Sequence, residues 1–140
     1  MTESVERVMQ ELYDRLSGTD GFTKVVRSEY EILDDDALPL LVLSQGGESL
    51  ELVTLGGVEA NLSVSVHIAC LKGTQNIETT LNKLRRNVLR QIYDQDFVNI
   101  DSIHETSASK PEIVQREGSP VGSITIDFEV IYIRQYNDPE

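Results

Sequence analysis

Apolar residues recur at helical spacing at Val5, Val8, Met9, Leu12 and Leu16, which predicts an amphipathic helix from residue 3 to residue 17. Thr2 stands where a cap belongs, Glu3 and Glu6 fall in the first turn, and Gly18 lies just past the end,. A second stripe, Ile77, Leu81, Leu84, Val88 and Ile92, predicts another helix ending near Tyr93, with Thr74 as its cap. Between the helices the period changes to two. From Ala60 to Leu71, Leu62, Val64, Val66, Ile68 and Cys70 share one face, while Asn61, Ser63, Ser65, His67 and Ala69 share the other. Such alternation predicts a strand with one buried face and one polar face.

The remaining segments fill out a sheet. "TKVVRSEYEI" has strand composition, and "LPLLVLS" after it reads as a buried strand,. Gly46-Gly47 and Gly56-Gly57 bracket "ESLELVTL", so residues 46 to 57 read as a short strand or as a flexible excursion carrying Leu50, Leu52, Val53 and Leu55. "DFVNIDSIHE" predicts a further strand, and residues 106 to 120 a polar loop and hairpin that includes the short strand "IVQRE". The last strand lies in "VGSITIDFEVIYIRQ". The expected fold is α+β: one domain over residues 1 to 140, with two helices on one face of a mostly antiparallel, mixed sheet of long strands.

Val121 to Gln135 is long for so small a chain. At about 3.3 Å per residue it spans roughly 46 Å, whereas a compact chain of this size is about 35 to 40 Å across. The strand must bend, bulge or overhang. Val58 to Lys72 is equally long, so two neighbouring strands are expected to carry the sheet past the body of the domain, where another subunit pairs with them. Ser123, Thr125, Asp127 and Glu129 make one face polar, but Ile131 and Ile133 stand opposite Val130 and Tyr132. The C-terminal half therefore has the pattern of a strand covered on both sides.

Charge narrows the function. The 140 residues hold 24 acids against 12 bases, a net charge of -12, with 39% hydrophobic content. This balance supports one core and repels nucleic acid and anionic membrane. No apolar run is long enough to span a bilayer, and "MTESVERVMQ" lacks a basic-then-apolar leader pattern, so a cytoplasmic site of assembly is expected. Cys70 is the single cysteine and reads as a buried thiol. Phosphate-loop, dinucleotide, nucleophile-elbow and HExxH patterns are absent from the sequence, so no cofactor, metal or catalytic residue is expected. His67 and His104 fall in strand patterns as surface or hydrogen-bonded side chains. Asp127 and Glu129 share a strand face without the lysine that would complete a nuclease site, and Asp34, Asp35 and Asp36 read as a solvated loop.

One patch opposes the overall charge. Lys83, Arg86 and Arg90 fall at i, i+3 and i+7 on the second helix, with Arg85 beside them. They read either as complements to the helix dipole or as a stripe that docks on an acidic neighbour, a second copy included.

The element order, the glycine-bounded segment, the helix "IETTLNKLRRNVLRQIYD" and the closing pattern of Gly122, Phe128, Glu129, Val130 and Tyr132 resemble the tail-terminator, or tail-completion, proteins of long-tailed bacteriophages. The resemblance covers nearly the whole chain and implies a structural virion protein with no catalytic residues. It implies a hexameric ring of this chain that ends polymerisation of the tail-tube protein and meets the head-tail connector protein, with DNA only as passing cargo. In such a ring the basic stripe would meet an acidic loop such as Asp34 to Asp36 of the next copy. The reading from a different class is a small acidic inhibitor that mimics DNA.

Overall fold

The computed structural model describes residues 4–27, 38–54, 57–71, 76–114 and 120–135, with the backbone alone for 51–54 and 135. Two helices, α1 (Ser4–Leu16) and α2 (Ile77–Tyr93), lie against one face of a mixed sheet. Its strands are β1 (Lys24–Arg27), β2 (Leu40–Thr54), β3 (Gly57–Leu71), β4 (Ser102–Ala108), β5 (Glu112–Val114) and β6 (Val121–Gln135). The order across the sheet is β1-β2-β3-β6-β4, with β5 beside β6. β1 runs parallel to β2, and the other pairings are antiparallel. The fold is α+β, as the two periodicities required.

The core lies between the helices and the even-numbered face of the central strands. Leu62, Val64, Val66, Ile68 and Cys70 of β3 join Ile124, Ile126, Phe128, Val130 and Tyr132 of β6. Val8, Met9, Leu12 and Leu16 of α1 and Ile77, Leu81, Leu84, Val88 and Ile92 of α2 close over them. β3 and β6 pair without a register shift from Gly57↔Gln135 to Leu71↔Val121. This unbroken ladder follows from matched alternation: a slip of one residue would turn the whole apolar set to the other face.

Several expected boundaries move. The cap of α2 is Asn76, whose Oδ1 accepts from the Glu78 N–H at 2.9 Å; Thr74 and Thr2 lie outside the described residues. The strand expected in "DFVNIDSIHE" begins only at Ser102, because the preceding backbone is satisfied by α1. Glu11 accepts from the N–H groups of Val98 and Asn99 at 2.7 and 2.8 Å. Arg15 donates to the carbonyls of Ile92, Gln95 and Asp96 at 3.0, 2.7 and 3.0 Å and stacks over Phe97. With those groups engaged, no ladder is needed there. Within residues 106 to 120 the expected short strand appears as β5, pairing with the start of β6, while β4 continues to Ala108, further than expected.

Of the two readings of the glycine-bounded segment, the strand holds, as a continuation of β2 rather than a separate element. β2 runs through Gly46 and Gly47, and the two together face the single residue Ser63 between Gln45↔Val64 and Glu48↔Leu62. This is a β-bulge. A side chain at Gly46 would place its Cβ 2.9 Å from the Ser63 carbonyl oxygen, so the close approach explains the glycine. The extra residue reverses the parity of β2: Leu41 and Leu43 face the helices before it, and Glu48 and Leu50 share that face after it,.

Candidate functional site

The chain offers three surfaces with distinct chemistry: a strand arm, a basic helix stripe and an open sheet face. Beyond the bulge, β2, β3 and β6 continue as the arm, with Leu50↔Ala60 and Ala60↔Tyr132 side by side. Leu41 and Leu43 are fully buried under the helices, whereas Leu50 on the same face is 50% exposed, so the helical cover has ended over β2 by that point, while Ala60 and Tyr132 beside it stay buried. Ile133, on the opposite face, is 44% exposed. The expectation that the C-terminal half of β6 is covered on both sides therefore fails within one chain: Val130 and Tyr132 are buried, and Ile133 is left to water. At the arm's root, Glu48 accepts from Tyr132 Oη and pairs with Arg134 at 3.2 Å. The bulge sets this lock, because without it Glu48 would point away from both partners. Leu52 and Val53 belong to β2 but their side chains, like Leu55, lie outside the described residues.

On α2, Lys83, Arg86 and Arg90 are exposed and directed away from the sheet, since the buried positions Leu81, Leu84 and Val88 occupy the other side of the helix. No hydrogen bond or ion pair joins these three to another described residue. Arg85 does not belong to this stripe. It turns down to β4 and holds Glu105 through a fork of 2.8 to 3.2 Å. Asp34, Asp35 and Asp36, expected opposite the stripe in a neighbouring copy, lie outside the described residues.

The sheet face away from the helices buries a second apolar cluster, Leu38, Leu40, Val42, Ala69 and Val121, toward one end, and over the middle of β3, β6 and β4 it is open, polar and self-bonded. Ser65 Oγ and Ser107 Oγ donate to the two oxygens of Asp127 at 2.7 and 3.0 Å, so β3 and β4 grip β6 from both sides. Asn61 Nδ2 donates to Glu129, and His67 Nδ1 lies 2.9 Å from Thr125 Oγ1. His104 stands opposite Glu129 in the register. Every partner of Asp127 and Glu129 among the described residues is neutral. A recess of about 400 Å³ beside them is lined by Gly47, Ser49, Asn61, Ser63 and Glu129. The sequence marked Asp127 and Glu129 only as a rejected metal pair; their value as an uncompensated negative platform emerges when β3 and β4 are seen on either side.

Cys70 is buried, and desolvation pushes its thiol pKa up, the opposite of what a nucleophile requires. Among the described residues no group of three His, Cys, Asp or Glu is gathered to hold a metal ion, and no helix is long and apolar enough to cross a membrane. No protein-family model matches the chain, and no curated protein matches it.

Proposed function

We propose that this chain is a structural, non-enzymatic virion protein that assembles as a ring, expected to be a hexamer, on the head-proximal end of a phage tail tube. There it ends tube polymerisation and presents a surface to the head connector. The reading rests on the element order noted in the sequence, and the observation that carries it furthest is the arm. A strand end that leaves Leu50 on one face and Ile133 on the other half in water meets a requirement of assembly, because such apolar groups gain burial against another chain. The charge of -12 suits subunits around a passing DNA, since phosphates meet like charge.

The test is electron microscopy of purified tail tubes incubated with the protein. Wild-type chain is expected to appear as a ring capping one tube end and to halt elongation by free tube subunits. Leu50→Ser combined with Ile133→Ser should stay folded, because both positions are largely exposed and the cost is about 1 kcal/mol or less. The same variant should lose capping. Unimpeded elongation with the folded wild type present would end the tail reading, and a tight complex with a basic DNA-binding protein would put the DNA-mimic reading in its place.

A further inference from the structure

We infer that the basic stripe of α2 docks on the open sheet face of a second copy of this chain, with Arg86 and Arg90 meeting Asp127 and Glu129. The inference deepens the ring reading by naming the contacting surfaces.

Both surfaces lack a counter-charge among the described residues. Lys83, Arg86 and Arg90 are exposed with no ion pair to a described residue, in a protein whose acids outnumber its bases 24 to 12. Asp127 and Glu129 hold only neutral donors, Ser65, Ser107 and Asn61, so each carboxylate keeps lone pairs for a cation. The open-face positions around them on β3, β6 and β4, from Asn61 to His67, Thr125 to Ile131 and Ser102 to Ser107, carry no lysine or arginine.

The spacings match. Arg86 and Arg90, one turn apart, are separated by about 6 Å along the helix. Asp127 and Glu129, two residues apart on one strand, are separated by about 6.8 Å. Ser63 and Ser65 keep the platform low, and the recess lined by Ser63, Asn61 and Glu129 leaves room for a guanidinium to lie against the carboxylate. The stripe and the platform sit on opposite sides of the helix-on-sheet layers, so they cannot meet within one chain. They meet between copies as a heterologous contact, which repeats from subunit to subunit and closes into a ring when the rotation allows. A second copy also completes the layering, giving the uncovered sheet face a helix.

The experiment compares light scattering and sedimentation of the wild type with two charge-reversed forms, Arg86→Glu/Arg90→Glu and Ser63→Lys/Glu129→Lys, alone and mixed. Wild type is expected to self-associate. Each reversed form alone should be monomeric, its dissociation constant raised about a hundredfold or more, with circular dichroism unchanged. Mixed one to one they should associate again as alternating copies, because the intact stripe of one meets the intact platform of the other while the acidic helix meets the basic platform. Asp127→Asn/Glu129→Gln, which keeps hydrogen-bonding capacity and removes charge, should also weaken association and covers the case of a reversed form that does not fold. A wild type that stays monomeric at millimolar concentration overturns the inference, as does normal self-association of Arg86→Glu/Arg90→Glu or a mixture that fails to pair. Rings that cap tubes while ignoring these substitutions would sink the docking surfaces and spare the tail role. Self-association through these residues without tube capping would do the reverse.

Discussion

At Gly122 the helix layer comes down onto the strand itself. A Cβ there would overlap Ile77 Cγ1 and come within 2.9 Å of its Cδ1, and Ile77 is buried at the start of α2. Gly122→Ala is expected to destabilise the protein by about 1 to 3 kcal/mol, as overpacked cores do, read as a shifted urea midpoint. Glu6 makes a subtler case. Its carboxylate accepts from Arg27 at 2.6 and 3.2 Å, and that hydrogen bond holds its pKa below the ordinary carboxylate value against an opposing desolvation. A depressed folded pKa adds stability that is present above the unfolded carboxylate range and lost as pH falls through the folded value. Glu6→Gln should therefore cost about 0.5 kcal/mol or less at neutral pH, the pair being exposed, and should flatten the acid limb of the stability curve. A steep acid limb unchanged in the variant would assign it to other carboxylates.

At the scale of an element, the bulge decides what β2 does. Gly47 has open space around the position a Cβ would take, so Gly47→Ala should change stability by only about 0.5 kcal/mol. Glu48→Ala has a different consequence: it takes the carboxylate from Tyr132 and Arg134 at the root of the arm. The loss of a part-buried, charge-assisted pair should cost about 2 kcal/mol or more. Equal unfolding midpoints for Gly47→Ala and Glu48→Ala would show that the pairing past the bulge carries little energy. Arg15 plays a comparable role for α2, whose end it holds through the carbonyls of Ile92, Gln95 and Asp96. Arg15→Ala should fray that end and expose Val98, Asn99 and their neighbours to hydrogen exchange.

At the scale of the molecule, a net charge of -12 and the three exposed cations of one helix stripe, without an ion pair among the described residues, act at different ranges. The net charge sets the field out to the screening length of about 8 to 10 Å, while the stripe acts on contact. Duplex DNA should therefore show no retardation by the wild-type protein at low salt, despite the exposed Lys83, Arg86 and Arg90. A salt-sensitive shift of duplex DNA would mean that the stripe outweighs the field and that nucleic acid, rather than an acidic protein surface, is its partner.

The sequence by itself determined the two amphipathic helices, the alternating β3 and the α+β class, because each rests on a local period that survives any arrangement of neighbours: Leu81, Leu84 and Val88 fall on one side of a helix wherever the helix goes. It also marked the exposed stripe on α2, for the same reason. Tertiary structure decided what depends on the residue opposite. Gly46-Gly47 is a bulge because a single Ser63 faces both, a fact held in β3 and invisible from β2. Arg85 leaves the stripe because Glu105, distant in sequence, lies under it. Residues before Ser102 are loop because Glu11 and Arg15 of α1 satisfy their backbone. Asp127 and Glu129 become an uncompensated pair only when Asn61, Ser65 and Ser107 are brought alongside, since compensation of a charge is a property of its neighbours and no period in a sequence records it.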